Sequence, residues 1–132
     1  MWKWRKPTVE GVRVLALDPA GHVILVRHSY GSDKWMPPGG GLKAGEDPVG
    51  AGARELLEET GCHLRDGRRV ALSDEDLHGA SNVVHVVVGQ TSEDPVPDGR
   101  EIVEARAFAI DALPEAMPAG LADLISGWIA AR

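Results

Sequence analysis

Arg54, Glu55, Glu58 and Glu59 crowd ionisable groups into one short stretch of the chain. Clustered carboxylates offer only oxygen ligands, which favour Mg²⁺ or Mn²⁺ over Zn²⁺. Mg²⁺ keeps several waters and shares its coordination sphere with phosphate, so the pattern points to a phosphorylated substrate. The window from Glu46 to Glu59 holds five acids (Glu46, Asp47, Glu55, Glu58, Glu59) against one base, Arg54. It therefore carries four of the six net negative charges of the chain.

A helix must position these groups. Asp47-Pro48 reads as an N-cap followed by proline in the first turn, and Gly61 as a C-terminal stop, so the helix is expected from about Pro48 to Thr60. At about 100° per residue, with Glu55 set to zero, Glu59 falls near 40° and Glu58 near −60°. The three carboxylates share one face. Val49, Ala53, Leu56 and Leu57 fall between roughly 100° and 200° and form the expected apolar face. Two readings fit. A solvated acidic face usually carries Lys or Arg partners worth about 0.2–0.5 kcal/mol each. Here the 55–58 and 55–59 spacings set like charges together, and Gly50 and Gly52 cost up to ~1 kcal/mol each against Ala. A divalent cation would turn that repulsion into coordination.

The preceding loop is compatible with an anionic ligand. Gly39, Gly40, Gly41 and Gly45 permit close backbone approach, and the helix N-terminus favours anions. Two other phosphate or cation motifs fail. No glycine is followed at the right distance by Gly-Lys, so there is no P-loop. Asp74 to Gly79 opens like an EF-hand loop, but its twelfth position is His85 rather than Glu.

Around this core motif, Val9–Leu17 and His22–His28 read as a hairpin about the turn Asp18–Gly21. Val70–Leu72 is a weak strand, Asn82–Gly89 a strong one, and Ile102–Ile110 another. Thr91–Arg100 is an acidic loop. Leu121, Leu124, Ile125, Trp128 and Ile129 lie at helical spacing and predict a C-terminal amphipathic helix. Strands and helices in this order predict an α+β fold or an α/β/α sandwich with a mixed sheet.

The chain has 132 residues, 20 acids against 14 bases and 43% hydrophobic residues. That is one domain, 1–132, with a single core. The acidity excludes a broad basic nucleic-acid groove but not a small nucleotide. The single cysteine, Cys62, excludes an intrachain disulfide and fits a reducing, cytoplasmic setting. No signal peptide or membrane segment is expected: the basic N-terminus lacks an apolar stretch, and Ala119–Ala131 is short and contains Asp123.

The stretch Gly40 to Cys62 (GGLKAGEDPVGAGARELLEETGC) resembles the Nudix box, in which Gly, Glu and an Arg-Glu-aliphatic-any-Glu-Glu-any-Gly-aliphatic run recur at fixed spacing. Gly40, Glu46, Arg54, Glu55, Leu56, Glu58, Glu59 and Gly61 fill those positions, with Cys62 at the last aliphatic one. Trp35 and Pro38-Gly39-Gly40 match the usual lead-in. The resemblance implies a Nudix-type α/β/α sandwich and a Mg²⁺-dependent hydrolase cleaving the diphosphate of a nucleoside diphosphate linked to another moiety. By position, Glu55, Glu58 and Glu59 would hold metal, joined by the Gly40 carbonyl. Arg54 would orient Glu55, and Glu46 would brace the loop. Lys43 stands where many members carry Glu.

Glu55 or Glu59 is the expected proton acceptor, with Glu101 or Glu104 as the alternative. Arg27, Gly39, Gly41 and Trp35 are the expected substrate contacts: Arg27 for phosphate, Trp35 or Tyr30 for a base, the glycines for backbone approach. Structural roles compete for Arg27 and Trp35, and are the expectation for His28, His63, His78 and His85. Trp2 and Trp4, beside Lys3 and Arg5, would cover a sheet edge or a partner. A homodimer is common in this family and is left open. The competing functional reading is a nucleotide-sensing or protein-binding domain that keeps the fold without hydrolysis. Nucleoside triphosphates and related small nucleotides are the expected substrates.

Overall fold

The computed structural model describes residues 9–77 and 80–132; Trp2, Lys3, Trp4, Arg5 and His78 lie outside the described residues. The elements are β1 (Val9–Leu17), β2 (Val23–His28), β3 (Gly39–Gly41), α1 (Pro48–Thr60), β4 (Arg65–Leu77), β5 (Ala80–Gln90), β6 (Ile102–Phe108) and α2 (Leu121–Ala130). The sheet order is β4-β5-β1-β2-β6, with β3 paired to β1. β1 and β5 run parallel from Val9↔Asn82 to Leu17↔Gln90, while the other pairs are antiparallel.

Alternation along the strands divides the core into two layers. Val12, Val14, Ala16, Ile24 and Val87 face α1, where Ala51, Leu56 and Cys62 complete the cluster. Leu15, Leu17, Val23, Leu25, Val86 and Val88 face α2, with Trp35, Met117, Ile125 and Ile129. The predicted sandwich with a mixed sheet is what forms.

The predicted hairpin is tight only at its turn. Asp18 Oδ1 accepts the N–H groups of Ala20 and His22, each at 2.9 Å, and Leu17 pairs with Val23. Beyond the turn, the chain from Met36 to Gly41 lies between the two strands. Val26 and Met36 exchange backbone hydrogen bonds at 2.8 and 2.9 Å, Val14 N–H donates to Pro38 O at 2.8 Å, and Gly11–Arg13 pair with β3. This insertion brings three glycines into the sheet beneath α1.

The ends of α1 follow the sequence. Asp47 accepts from Gly50 N–H at 3.2 Å, and Gly61 adopts φ 74°, its N–H bonded to Leu57 O. Its rotation does not. Ala51, Gly52, Leu56, Glu59 and Thr60 are the buried residues, whereas Leu57 is 44% exposed. The buried face is turned by roughly 90° from the one the apolar residues mark on the wheel. The helix lies against Val12, Val14 and β3 through Gly52 and Glu59, so close packing at Gly52 and the Glu59 contact with β3, together with burial of Ala51 and Leu56, set its orientation.

β4 also departs from expectation. Its 13 residues include the predicted Val70–Leu72 but pair with β5 from Arg65↔Gln90 to Leu77↔Ala80. A polar edge strand of this kind is stabilised by its partner rather than by its own pattern.

Gly39 tests the insertion of β3. A Cβ there would lie 2.1 Å from the Val12 carbonyl oxygen, which is fixed backbone. Gly39→Ala is expected to destabilise the domain by about 1–3 kcal/mol, read from its denaturant midpoint. A loss under ~0.5 kcal/mol would show that β3 is not sterically confined.

Candidate active site

Helix α1 and strand β3 build the site together. Arg54 sits at its centre. Its Nε and Nη2 donate to the two Glu46 oxygens at 2.8 and 2.9 Å, its Nη1 to Glu55 Oε1 at 2.9 Å, and Nη2 also to Gly41 O at 3.1 Å. Glu58 Oε2 lies 3.5 Å from Nη1. Glu46 in turn accepts the Lys43 N–H at 3.0 Å. The Arg54 hydrogen bonds, helped by that N–H, hold the Glu46 carboxyl at about 2, well below the usual range, and the Arg54 pKa is raised. The loop and the helix are thus fastened by one guanidinium.

Glu55 lies beneath Gly40, where a Cβ would meet its Oε1 at 2.6 Å. Any side chain there would displace the carboxylate. Glu59 is buried, at 5% exposure. Its Oε2 accepts the Gly39 N–H at 3.1 Å, and its Oε1 has no hydrogen-bond partner. Burial first, then the adjacent Glu55 carboxylate, push its pKa up to about 9, against the pull of Gly39 N–H and Arg13. Without a cation, Glu59 therefore holds a proton at neutral pH beside Glu55. Glu58 is the solvent-facing member, its side chain 56% exposed.

These carboxylates open on a cleft of about 280 Å³ lined by Glu55, Glu58, Glu59, Asp98, Arg100 and Glu101. Larger depressions of about 410 and 570 Å³ open elsewhere, without such a gathering of carboxylates. Among the described residues, no three His, Cys, Asp or Glu side chains already converge as a metal cage. Arg54 draws Glu55 and Glu58 towards itself.

Arg54, Glu55, Glu58, Glu59, Gly39, Gly40, Gly41 and Glu101 thus gather in one region. Arg27, Trp35 and Glu104 do not join them. Arg27 pairs with Glu104 and lies 5.6 Å from the Trp35 ring centroid. Trp35 is buried edge-on against Phe108, with centroids 4.9 Å apart, in the α2-facing core. That arrangement fits the structural roles weighed above for Arg27 and Trp35. His63 pairs with Glu93 through its ring Nδ1 at 2.9 Å and its backbone N–H at 2.8 Å, while His85 has Arg69 Nη1 3.3 Å from Nδ1 and Glu10 4.0 Å from Nε2.

Three residues near the carboxylates escaped the sequence reading. His28 Nε2 lies 4.0 Å from Glu59 Oε1. Alternation with Ile24 and Val26 along β2 was the available signal. Asp98 and Arg100 come from the loop read only as an acidic connection, and only the folded chain brings that loop to α1.

The sequence matches the family model of the NUDIX domain over residues 7–127. The chain belongs to the NUDIX family. Among solved structures of this fold, a MutT protein from Methanosarcina mazei Go1 superposes with a TM-score of 0.83 at 24% identity, covering 97% of each chain. A Caenorhabditis elegans Ap4A hydrolase, solved as a binary complex, gives a TM-score of 0.76 at 22% identity over 92% of this chain and 96% of that one. A curated relative, diphosphoinositol polyphosphate phosphohydrolase 2 of Rattus norvegicus, is 35% identical over 83 residues, 60% of this chain. The match spans 46% of that protein, so the NUDIX chain described here corresponds to about half the length of the curated relatives it matches. Among the described residues, no helix is long and apolar enough to cross a membrane.

The raised Glu59 pKa has a consequence for stability. Between pH 4.5, the ordinary value, and about 9, the unfolded chain releases the proton that the folded chain keeps. The cation-free NUDIX domain should therefore lose stability through this group as pH rises across that window. In EDTA at pH 8, Glu59→Gln should melt at least about 3 °C above the wild type, the equivalent of roughly 1 kcal/mol. Thermal denaturation at pH 5 and 8 checks this; a variant with the wild-type pH slope contradicts it.

Proposed function

We propose that the protein is a divalent-cation-dependent hydrolase, using Mg²⁺ or Mn²⁺, that cleaves the diphosphate linkage of a nucleoside triphosphate or related small nucleotide. The observation that carries this reading is the buried Glu59. One of its oxygens has no partner and the other is fixed by Gly39 N–H, with the Glu55 carboxylate alongside. A buried carboxylate with one unmet oxygen, beside a half-buried second carboxylate, suits a cation far better than it suits a bare interior. The donor set is all oxygen, and the missing side chain of Gly40 lets the Glu55 carboxylate lie against the backbone of β3. The residues present fit a hard divalent ion.

Glu55, Glu58, Glu59 and the Gly40 carbonyl would hold that ion. When bound, it supplies polarisation of the phosphate oxygens, acidification of water and neutralisation of the leaving phosphate. The chain supplies the rest. Arg54 fixes the Glu55 carboxylate and, through Glu46, the loop before α1. A carboxylate of the cleft accepts the proton of the attacking water: Glu55 or Glu59 in the first place, Glu101 as the alternative on the facing loop. A water oxygen bonds to phosphorus, the bridging anhydride bond breaks, and the departing phosphate takes the bond electrons. Glu104 is engaged by Arg27 and does not line the cleft, which favours Glu101 of the two.

The named activities of the relatives support a diphosphate bond as the target, since diphosphoinositol polyphosphates and Ap4A both contain one. The cleft argues for the less charged of these substrate types. Its lining holds five carboxylates and one guanidinium, a poor match for a ring carrying many phosphates.

The test is product release from nucleoside triphosphates, dinucleoside polyphosphates and nucleotide sugars, with Mg²⁺ and with EDTA. Wild-type protein should release nucleoside monophosphate or phosphate from at least one of them only with the cation. The double variant Glu58→Gln/Glu59→Gln should lose about 10²–10³ in turnover while remaining folded by circular dichroism. Turnover unaffected by both substitutions would remove the carboxylates from the reaction. Tight binding of one compound with no release from any would favour a sensor domain.

A further inference from the structure

The carboxylate cleft contains a second guanidinium that the family motif does not include. Arg54 is engaged: Glu46, Glu55 and Gly41 take four of its five donors, and Glu58 lies 3.5 Å from Nη1. Arg100 is the one cationic side chain among the described residues that line the cleft. It enters none of the ion pairs found among those residues, although Glu55, Glu58, Glu59, Asp98 and Glu101 line the same space. A guanidinium that lines a cleft with so many carboxylates, yet enters none of these ion pairs, keeps its donors for a polyanion in that cleft.

Its backbone is held firmly for so exposed a residue. Asp98 Oδ1 accepts the N–H groups of Arg100 and Ile102 at 2.8 and 2.9 Å. Ser29, at the end of β2, donates from Oγ to Arg100 O at 3.1 Å and from its N–H to Glu101 O at 2.8 Å. Ile102, the next residue, is fully buried and begins β6. The turn is therefore stitched to two strands, and side-chain motion starts from a fixed Cα. Such placement lowers the entropy lost when a guanidinium grips a ligand.

We propose that Arg100 is a specificity-determining residue that binds a phosphate of the substrate beyond the diphosphate being cleaved. A guanidinium matches phosphate oxygens bidentately and, unlike an ammonium, keeps that geometry in a partly dry site. It would select phosphate chains of three or more members over a diphosphate whose outer group is an uncharged sugar. This inference rests on the hydrolase reading above for its substrate class.

Two measurements test it. In steady-state kinetics, Arg100→Ala should lower kcat/KM for a nucleoside triphosphate by at least about tenfold more than for a nucleoside diphosphate hexose, with the loss in KM and part of it recovered in Arg100→Lys. Equal losses on both substrates would mean that Arg100 only offsets the local acidity, and would overturn the assignment. In calorimetry with Mg²⁺, inorganic tripolyphosphate should bind Arg100→Ala at least about tenfold more weakly than wild type. Equal affinity, or no binding to wild type, overturns the phosphate site. Weakened tripolyphosphate binding in a protein that hydrolyses no nucleotide would uphold the site and discard the hydrolase reading, so the two failures are distinct.

Discussion

Helix α1 rests on a strand made only of glycine, and the chemistry of the site depends on that contact. Gly39 donates its N–H to Glu59 across the interface, and Gly40 leaves the room that the Glu55 carboxylate fills. A side chain at Gly40 would displace the Glu55 carboxylate, and one at Gly39 would collide with the Val12 carbonyl of β1. The insertion of β3 between β1 and β2 is what makes the contact possible, and it explains why the β1–β2 hairpin opens immediately after its turn. The sheet gives up some direct strand pairing so that backbone, not side chain, faces the carboxylates.

That arrangement has an electrostatic cost, and Arg54 limits it. A buried carboxylate next to another carboxylate is destabilising unless it is neutralised by a proton or a cation. Arg54 satisfies Glu46 and one oxygen of Glu55 but reaches no oxygen of Glu59 at ion-pair distance. The stretch that carries most of the net charge is therefore only partly compensated from within. Unrelieved charge of this sort is common where function, rather than stability, fixes the residues. The overall acidity of the chain is concentrated at the place where a bound cation would reverse its effect on an anionic ligand.

Much of this was legible in the sequence because it is encoded locally. Asp47-Pro48 and Gly61 mark the ends of α1 through their own backbone chemistry, and the spacing of Arg54, Glu55, Glu58 and Glu59 puts them within reach of one another on any helix. What failed depends on distant partners. The rotation of α1 could not be read from Val49, Ala53, Leu56 and Leu57, because the glycine strand attracts Glu59 and Gly52 to the interface and leaves Leu57 outside. β4 gains its length from pairing with β5. Arg27 and Trp35 sit near the glutamates in sequence terms, yet the alternation of β2 sends Arg27 to the other face of the sheet, where Glu104 and the Trp35 ring engage it.

The two faces of the sheet consequently carry different duties. On the α2 face, Arg27, Glu104, Trp35 and Phe108 lock β2, β6 and the Trp35 loop together through an ion pair and ring contacts. On the α1 face, the same two strands end at His28 and begin at Ile102, and it is these ends that border the carboxylates. A lock on one side fixes the strand ends on the other, so the Asp98–Glu101 turn inherits its position from packing that never touches a ligand. The carboxylates of α1 belong to the family motif, while the facing turn lies outside it. Among the described residues the two are joined through the sheet and across the cleft rather than through side-chain bonds between them, so the position of the turn depends on strand packing and not on the helix.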